Sequence, residues 1–357
     1  MKFAAGYQNN IYGEPFADMI ADYVRNPQGD GKANYVGEVY FPWVAQASGR
    51  PPLMPEGMVK EEAEEELISD LRKLKGMGVS LDLLFNANCY GEKAVSRSLE
   101  KEVISIIERL ISEGVGPEIV TTTSPFIARA TKKYYPEMEV RASVNMRIGT
   151  IQAMQYVSDL FDSFYIQRDF QRNLPYVENV SRWCHENGKK LCLLANSGCL
   201  RFCPGQTFHD NLIAHCLGAS DDRVPDYNPH VCRNLYEGGK NAVEVLKSTW
   251  VRPEDIYRYE GLIDVVKLAT RQHSYPRSVV SAYVNESWDG NLLELLEPGH
   301  SPAFYPYEID NSAFPEDFFD KTGKCLNGCT GCGYCEEVLN TVYHKSSADG
   351  IFFSITE

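Results

Sequence analysis

The chain has 357 residues, of which 43% are hydrophobic and 24% are charged, and its formal net charge is −14. This composition is typical of a globular protein that can bury a full core without disulfide bonds. The negative charge excludes a general attraction to a phosphate backbone, although a local basic patch for RNA remains compatible with it. No apolar run approaches the ~20 residues that span a bilayer, and the N-terminus lacks signal-peptide form, so we expect a cytoplasmic protein that does not use a membrane.

Short β-type segments alternate with helical patterns along most of the chain. The predicted strands cover residues 2–8, 34–41, 79–86, 117–123, 140–145, 163–167, 190–196 and 264–271. This alternation is typical of α/β proteins with parallel strands, and eight strand–helix units predict a (β/α)8 TIM-barrel-like domain. An open doubly wound sheet is the alternative, but the Gly-x-Gly-x-x-Gly that often follows its first strand is absent. We therefore predict a barrel-like domain over residues 1–300 and a small Cys-rich C-terminal extension over 301–357.

Polar residues follow the predicted strands, where the active sites of such barrels lie. They are Glu38, Asn86, Asn88, Thr121, Thr122, Thr123, Ser124, Asn145, Arg168, Asp169, Asn196 and Arg271. Each one alone can equally be a helix cap or a partner of the backbone. Together they predict a pocket that recognises a small molecule by hydrogen bonds, with Asn145, Arg168, Asp169 and Asn196 as candidate catalytic residues.

Four cysteines follow the seventh predicted strand with the spacing Cys-x3-Cys-x12-Cys-x15-Cys. They are Cys199, Cys203, Cys216 and Cys232. Thiols stay reduced in the cytoplasm, and four thiolates suit an iron–sulfur cluster or zinc. Structural zinc sites usually have two close cysteine pairs, whereas only the first pair is close here, so we favour a 4Fe-4S cluster at the barrel mouth. Three histidines share this segment as alternative ligands or, as we prefer, structural residues: His209, His215 and His230.

A second cysteine group lies near the C-terminus with the spacing Cys-x3-Cys-x2-Cys-x2-Cys. It comprises Cys325, Cys329, Cys332 and Cys335, with three glycines between them that let the backbone fold tightly around a metal. We predict a second 4Fe-4S cluster here, with structural zinc as the alternative. Its first three cysteines have radical-SAM spacing, but Gly331 stands where that family carries an aromatic residue, which argues against that class. Of the isolated cysteines, Cys184 and Cys192 are predicted to be buried apolar residues, and Cys89 is a weaker candidate for facing the pocket.

Two segments carry a resemblance to a known family. They read YIQRDF (165–170) and LLANSGCLRFCP (193–204), and they resemble the Arg-Asp and Asn-x-Gly-Cys segments of the peptidase U32 family. The segments RPED (252–255) and DVVKLATR (264–271) are similar to a later Asp-containing helix and a Lys-Ile-x-Gly-Arg strand of that family. The resemblance covers roughly residues 140–271 and, more weakly, the N-terminal half.

The resemblance implies a barrel-like domain with a four-cysteine 4Fe-4S cluster, held here by Cys199, Cys203, Cys216 and Cys232. Several family members serve oxygen-independent hydroxylation of RNA bases or of the ubiquinone ring, with prephenate as a proposed oxygen source. The gaps between these cysteines are shorter than in the quinone-pathway members, and the group from Cys325 to Cys335 has no counterpart in the pattern. The resemblance thus implies an iron–sulfur enzyme without naming its substrate.

Two other functions remain open from the sequence. The family name implies a metal-independent hydrolase, but neither Gly-x-Ser-x-Gly nor His-Glu-x-x-His occurs. A non-catalytic electron-transfer or assembly partner is the third hypothesis, because some family members act in pairs. We accordingly expect a small-molecule substrate, with a protein redox partner or paired subunit as a further partner and RNA as an alternative ligand.

Overall fold

The structure is a computed structural model that describes residues 1–9, 14–25, 34–54, 57–218, 224, 227–325 and 329–346. Eight parallel strands form a closed barrel in which each strand pairs with the next and the last pairs with the first. They are β1 (Lys2–Gly6), β2 (Tyr35–Pro42), β3 (Ser80–Phe85), β4 (Ile119–Thr122), β5 (Glu139–Ala142), β6 (Ser163–Tyr165), β7 (Lys190–Leu194) and β8 (Val265–Leu268). The predicted (β/α)8 fold is confirmed, with each strand ending slightly earlier or starting slightly later than predicted.

Helices connect the strands and continue after the barrel. Those of the described residues are α1 (Phe16–Ala21), α2 (Lys60–Gly76), α3 (Arg97–Ser112), α4 (Pro125–Tyr134), α5 (Ile151–Gln155), α6 (Leu174–Glu186), α7 (Gln206–Ala214), α8 (Val231–Tyr236), α9 (Val243–Leu246), α10 (Pro276–Val284), α11 (Ser301–Phe304), α12 (Phe318–Thr322) and α13 (Tyr334–Val342). Among these residues, no helix is long and apolar enough to cross a membrane. The predicted helix over 252–259 is instead a 3-10 helix, Pro253–Tyr259.

The helix α3 illustrates how the sequence specifies the outer layer. Leu99, Val103, Ile107 and Leu110 recur at helical spacing and are buried against the barrel. The helix begins after Ser96, whose Oγ accepts a hydrogen bond from the Leu99 N–H at 3.1 Å. That bond satisfies one of the donors that a helix N-terminus leaves unpaired.

The interior of the barrel contains a layer of charged side chains. Arg141 on β5 is 1% exposed, and its guanidinium contacts Glu38 on β2, lies 3.7 Å from Asp82 Oδ2 on β3, and donates to Glu139 Oε1 at 2.8 Å. The prediction that Glu38 lies at a strand end is wrong, because it lies in the middle of β2 and is fully buried. Thr121 is next to the last residue of β4 and is also fully buried. Alternation along a strand points every second side chain into the barrel, so a polar residue inside a strand can be interior rather than at the mouth.

The chain after the barrel forms a second hydrophobic core together with the segment that follows the first cysteine group. Trp250 stacks on Phe318 with ring centroids 5.9 Å apart, and Tyr236 packs against Phe304. A short antiparallel pair, β9 (Tyr307–Ile309) and β10 (Tyr343–Lys345), closes this core. The C-terminal residues therefore pack against the connection that carries Cys232.

Candidate functional site at the barrel mouth

A cavity opens at the carboxyl ends of the strands. Its volume is about 40 Å³. It is lined by Tyr40, Gly49, Arg50, Leu84, Asn86, Val144, Asn145, Arg168, Leu194, Lys267, Ala269, Arg271 and Glu297. A larger cavity of about 270 Å³ lies beside Gln8, Phe16 and Tyr275, but it adjoins residues 10–13, which lie outside the described part of the chain. The mouth cavity is therefore the one whose chemistry can be followed.

The lining of the mouth cavity is mainly cationic. It contains the side chains of Arg50, Arg168, Lys267 and Arg271, and among the described lining residues Glu297 is the one carboxylate. Arg50 Nε donates to Glu297 Oε1 at 2.7 Å, and this single carboxylate also lies near Arg271, so positive charge remains in excess in the lining. An excess of positive charge in a partly desolvated cavity favours an anionic ligand.

Burial changes the ionisation of these groups. Burial opposes the charged form of Glu297, but the adjacent Arg50 outweighs it and holds the pKa of this carboxyl below its ordinary value. The pKa of Arg271 is lowered to about 10, chiefly by burial, and Arg50 acts in the same direction. Arg271 keeps its position by donating to Ser48 Oγ at 3.2 Å and to the Pro51 carbonyl at 3.0 Å.

Three of the four cysteines of the first group are neighbours beside this cavity. The pKa of the Cys232 thiol is raised to about 11, chiefly by burial, and the nearby Cys199 and Cys203 act in the same direction. Arg168 Nη1 lies 3.2 Å from Cys199 Sγ and donates to it. This hydrogen bond joins the loop after β6 to the first cysteine of the group.

The fourth cysteine, Cys216, starts the 3-10 turn Cys216–Gly218 next to residues 219–223, which the structure does not describe. The preceding residue, His215, lies near Gly91. A Cβ atom placed on Gly91 would be 3.7 Å from Cε1 of His215. Within the described ranges, no three His, Cys, Asp or Glu side chains are arranged as a ready metal site. The thiols of Cys199, Cys203 and Cys232 are nevertheless donors of the chemical type that iron–sulfur clusters use.

Histidines and a carboxyl on and after α7 complete the surroundings of the thiols. The ring centroids of His209 and His230 lie 4.6 Å apart. Burial is the main cause, and the charge of His230 the second, that together lower the pKa of His209 to about 4, so this imidazole is neutral. Asp210 accepts from Gln206 Nε2 at 2.8 Å and from Asn88 Nδ2 at 3.3 Å. Burial raises the pKa of Asp210, and the nearby Arg168 opposes that shift.

The four candidate catalytic residues occupy different positions. Arg168 and Asn145 line the mouth cavity. Asp169 accepts from the Phe202 N–H and from Gln167 Nε2, so it holds the loop between Cys199 and Cys203. Asn196 is fully buried and donates from Nδ2 to the carbonyls of Ala269 and Leu295, both at 2.9 Å.

The hydrogen bonds of Asn196 join the end of β7 to the end of β8. Its Oδ1 also accepts from the Ala269 N–H, at 2.6 Å, so its amide is engaged with backbone on both sides. Such an amide positions the loop that begins at Ser197.

The second cysteine group lies close to the first through two arginines. Burial lowers the pKa of Arg201, which lies between Cys199 and Cys203, while the nearby thiols of Cys325 and Cys329 act in the opposite direction. The pKa of Arg172 is lowered to about 10. Burial is the largest cause, Arg201 acts in the same direction, and Cys335 and Cys325 oppose the shift. Residues 326–328, inside this group, lie outside the described part of the chain. The second cysteine group thus lies near Arg172 and Arg201, and Arg201 belongs to the loop that joins Cys199 to Cys203.

Several residues of the site were missed by sequence reasoning. They are Arg50, Lys267, Asp210 and Glu297. Lys267 carried a signal, because it lies two positions from both Val265 and Ala269 and so shares their face of the strand, and their side chains belong to an inner cluster of the barrel. Arg50 and Glu297 lie on long connections, and only the folded chain brings them together.

Comparison with known proteins gives one extended sequence likeness. No known protein family matches in a scan of family profiles. The chain is similar to an uncharacterized protease of Methanocaldococcus jannaschii, with 30% identity over 284 residues that cover 77% of this chain and 80% of the relative. Among solved structures it is similar to a U32 peptidase, with a TM-score of 0.49, 16% identity, and coverage of 75% of this chain and 92% of that one. A fungal endo-beta-N-acetylglucosaminidase of glycosyl hydrolase family 18 gives a TM-score of 0.44 at 9% identity, covering 81% of this chain and 99% of that chain.

Proposed function

This chain belongs to the peptidase U32 family, and on that premise we propose that it is an iron–sulfur enzyme. Its reaction is of redox or oxygen-independent hydroxylation type, and its substrate is a small anionic molecule bound at the barrel mouth. The observation that carries this proposal is the group of Cys199, Cys203 and Cys232 beside the cationic cavity, with Arg168 donating to Cys199 Sγ at 3.2 Å. A thiolate set next to a ligand pocket is the arrangement that cluster-dependent chemistry requires.

The ligands of the cluster would be Cys199, Cys203, Cys216 and Cys232. When bound, a 4Fe-4S cluster supplies one-electron transfer, or a Lewis-acid site where one ligand is replaceable. Around it, Arg168 donates a hydrogen bond to the Cys199 sulfur, and Asp169 holds the loop that carries two of the ligands. The neutral imidazole of His209 adds no charge beside the sulfurs.

The substrate proposal rests on the charge and the size of the cavity. The cavity volume of about 40 Å³ corresponds to roughly three water molecules. That is room for a carboxylate and a few adjoining atoms. Arg271 and Lys267 supply donors at the cavity wall, and Asn145 supplies an amide. Charge-assisted hydrogen bonds of this kind recognise carboxylates strongly.

The C-terminal cysteine group is proposed as a second metal centre, with a 4Fe-4S cluster favoured over zinc. Cys329 and Cys332 are exposed, whereas Cys335 is half-buried against the second core. Its proximity to Arg201 and Arg172 supports a path by which electrons from a protein redox partner or paired subunit reach the first group. RNA is the alternative ligand, and it would bind outside this small cavity.

Metal analysis tests the proposal directly. Protein purified without oxygen is expected to contain iron and sulfide in equal amounts, about four or about eight of each per chain depending on whether one or both groups hold a cluster. Electron paramagnetic resonance of the dithionite-reduced protein then counts the clusters. Colourless protein that contains zinc alone, before and after anaerobic reconstitution with iron and sulfide, would overturn the proposal.

Anion binding tests the pocket separately from the metal. Succinate, as a probe, is expected to bind with a dissociation constant that rises at least about 10-fold in Arg271→Gln, because a charge-assisted contact is lost. Arg129→Gln, at an exposed position on α4, is the control and should leave binding unchanged. Isothermal titration calorimetry at two salt concentrations provides the measurement. Equal affinity in both variants would remove the pocket from the proposal.

Peptide hydrolysis is the competing function. The observation in its favour is that the Methanocaldococcus jannaschii relative is described as an uncharacterized protease. The thiol of Cys199 contacts Arg168, which is a hydrogen-bond donor and not a base. Cleavage of an unstructured protein by metal-free preparations, abolished in Cys199→Ala, would establish the hydrolase instead.

A further inference from the structure

Lys267 is an interior lysine that the proposed cluster chemistry does not use. It lies on β8, where its neighbours Val266 and Leu268 face the outer layer and its own side chain faces the barrel interior. It is only 7% exposed, and the part that is accessible lines the mouth cavity with Arg50, Arg271 and Glu297. Its amine is thus placed at the floor of the proposed ligand pocket.

The ammonium of Lys267 is held by aromatic rings. Nζ lies 3.6 Å from the ring centroid of Tyr40 and 5.3 Å from that of Tyr165. Among the described residues, no carboxylate oxygen lies within salt-bridge distance of this nitrogen, although such oxygens do pair with Arg141 deeper in the barrel. Cation–π contacts compensate a buried charge less completely than a carboxylate does.

The charged and titratable groups around Lys267 come from four strands and the loop after β8. They are Glu38, Tyr40, Asp82, Arg141, Tyr165 and Arg271. The pKa of Lys267 is lowered to about 8. Burial is the largest cause, Arg271 and Arg141 act in the same direction, and Asp82 and Glu38 oppose the shift. An ordinary lysine with a pKa of about 10.4 is almost entirely charged at neutral pH, and the lowered pKa of Lys267 increases the neutral fraction of its amine.

Asp82 is a second titratable group below Lys267. Its Oδ2 accepts from Thr121 Oγ1 at 2.8 Å, whereas its Oδ1 is buried without a hydrogen-bond partner among the described residues. Burial raises the pKa of Asp82 to about 7, Arg141 opposes that shift, and Glu38 adds to it. The lysine and the aspartate therefore change charge in neighbouring pH ranges inside one barrel.

We propose that Lys267 is the acid–base residue of the mouth pocket and that it exchanges a proton with a small carboxylate ligand held by Arg271 and Arg50. The neutral amine accepts a proton from the ligand and becomes an ammonium, and the electron pair of the broken bond stays on the ligand. The surrounding cations stabilise the charge that develops there. The ammonium then returns its proton to the product or to water at the cavity mouth. This inference rests on the proposed pocket and not on the metal centres.

Competitive labelling tests the reactivity of Lys267 without knowledge of the substrate. The full-length protein is treated with trace acetic anhydride from about pH 6 to about pH 11, a range that brackets ordinary and lowered lysine pKa values, and each lysine peptide is quantified by mass spectrometry. Lys267 is expected to reach half-maximal labelling near pH 8. The exposed Lys101 on α3 provides the reference curve. Succinate is expected to protect Lys267 at least about 10-fold at pH 8 and to leave Lys101 unprotected, because the ligand occupies only the cavity.

An Asp82→Asn variant separates an acid–base lysine from a structural one. Removing the carboxylate removes a charge that favours the ammonium, so the labelling midpoint of Lys267 is expected to fall. A lysine that is merely a structural charge would resist labelling throughout the pH range or would titrate like Lys101, and either result overturns the inference. Labelling without protection by succinate overturns it as well. Iron content measured on the same samples shows independently whether the cluster proposal stands.

Discussion

Replacing both Cys199 and Cys203 by alanine is expected to abolish metal binding at the proposed first cluster site while the barrel stays folded. These two thiols lie beside the cavity and next to Cys232, and no single remaining pair can hold a cubane cluster. Changes in the groups that merely support metal ligands already cost about 10- to 100-fold in metal affinity, so the loss of two ligands should exceed that. Iron and sulfide per chain are expected to fall by about half if the C-terminal group also holds a cluster, and to near zero if it does not.

A matched control removes two thiols that lie outside both groups. Cys89 is half-buried in the loop after β3 and Cys184 is buried on α6, and their double replacement by alanine should leave the iron content unchanged. A Cys329→Ala/Cys332→Ala variant reports on the second group in the same assay. If the Cys199/Cys203 variant retains all of its iron and its full paramagnetic signal, the first group is not a cluster site.

Replacing Arg141 by methionine is expected to lower the free energy of unfolding by about 3–5 kcal/mol. Arg141 is 1% exposed and compensates Glu38, Asp82 and Glu139 inside the barrel. Methionine fills a similar volume but removes the interior cation that the three carboxylates share. Glu38 then keeps Lys2 and Glu139 keeps Lys190 as ion-pair partners, but the loss of compensation for buried charge is costly. Urea unfolding followed by circular dichroism measures the change.

The pH dependence of the Arg141→Met effect has a definite sign. Without the guanidinium, the lowered pKa of Glu38 rises and the already raised pKa of Asp82 rises further, so the folded variant binds extra protons as the pH falls. The destabilisation should therefore be larger at about pH 8 than at about pH 5.5. Arg129→Met, at an exposed site on α4, is the control and should change stability by less than about 0.5 kcal/mol. An Arg141→Met variant as stable as this control would show that the interior charges are compensated without Arg141.

The local pattern of the sequence was sufficient for most of the fold. The spacing of Leu99, Val103 and Ile107 marks the buried face of α3, and Ser96 marks its start. Eight β-type runs separated by such helices leave few arrangements besides a closed parallel barrel, because parallel strands need long crossovers and tend to be covered on both faces. The interior position of Glu38 was not recognised, since only the strand register decides which side chain points inward.

For the site, the sequence by itself determined which residues can do chemistry: the thiols of both cysteine groups, and Arg168 and Asn145 at strand ends. Only the tertiary structure decided which of them meet. Arg50 lies next to Glu297 at 2.7 Å although 247 positions separate them, and Arg201 joins the surroundings of Cys325 and Cys329. Covalent neighbours restrict a side chain to a helix face or a strand end, whereas contacts across the barrel depend on closure of the whole sheet, and closure is a property of all eight strands together.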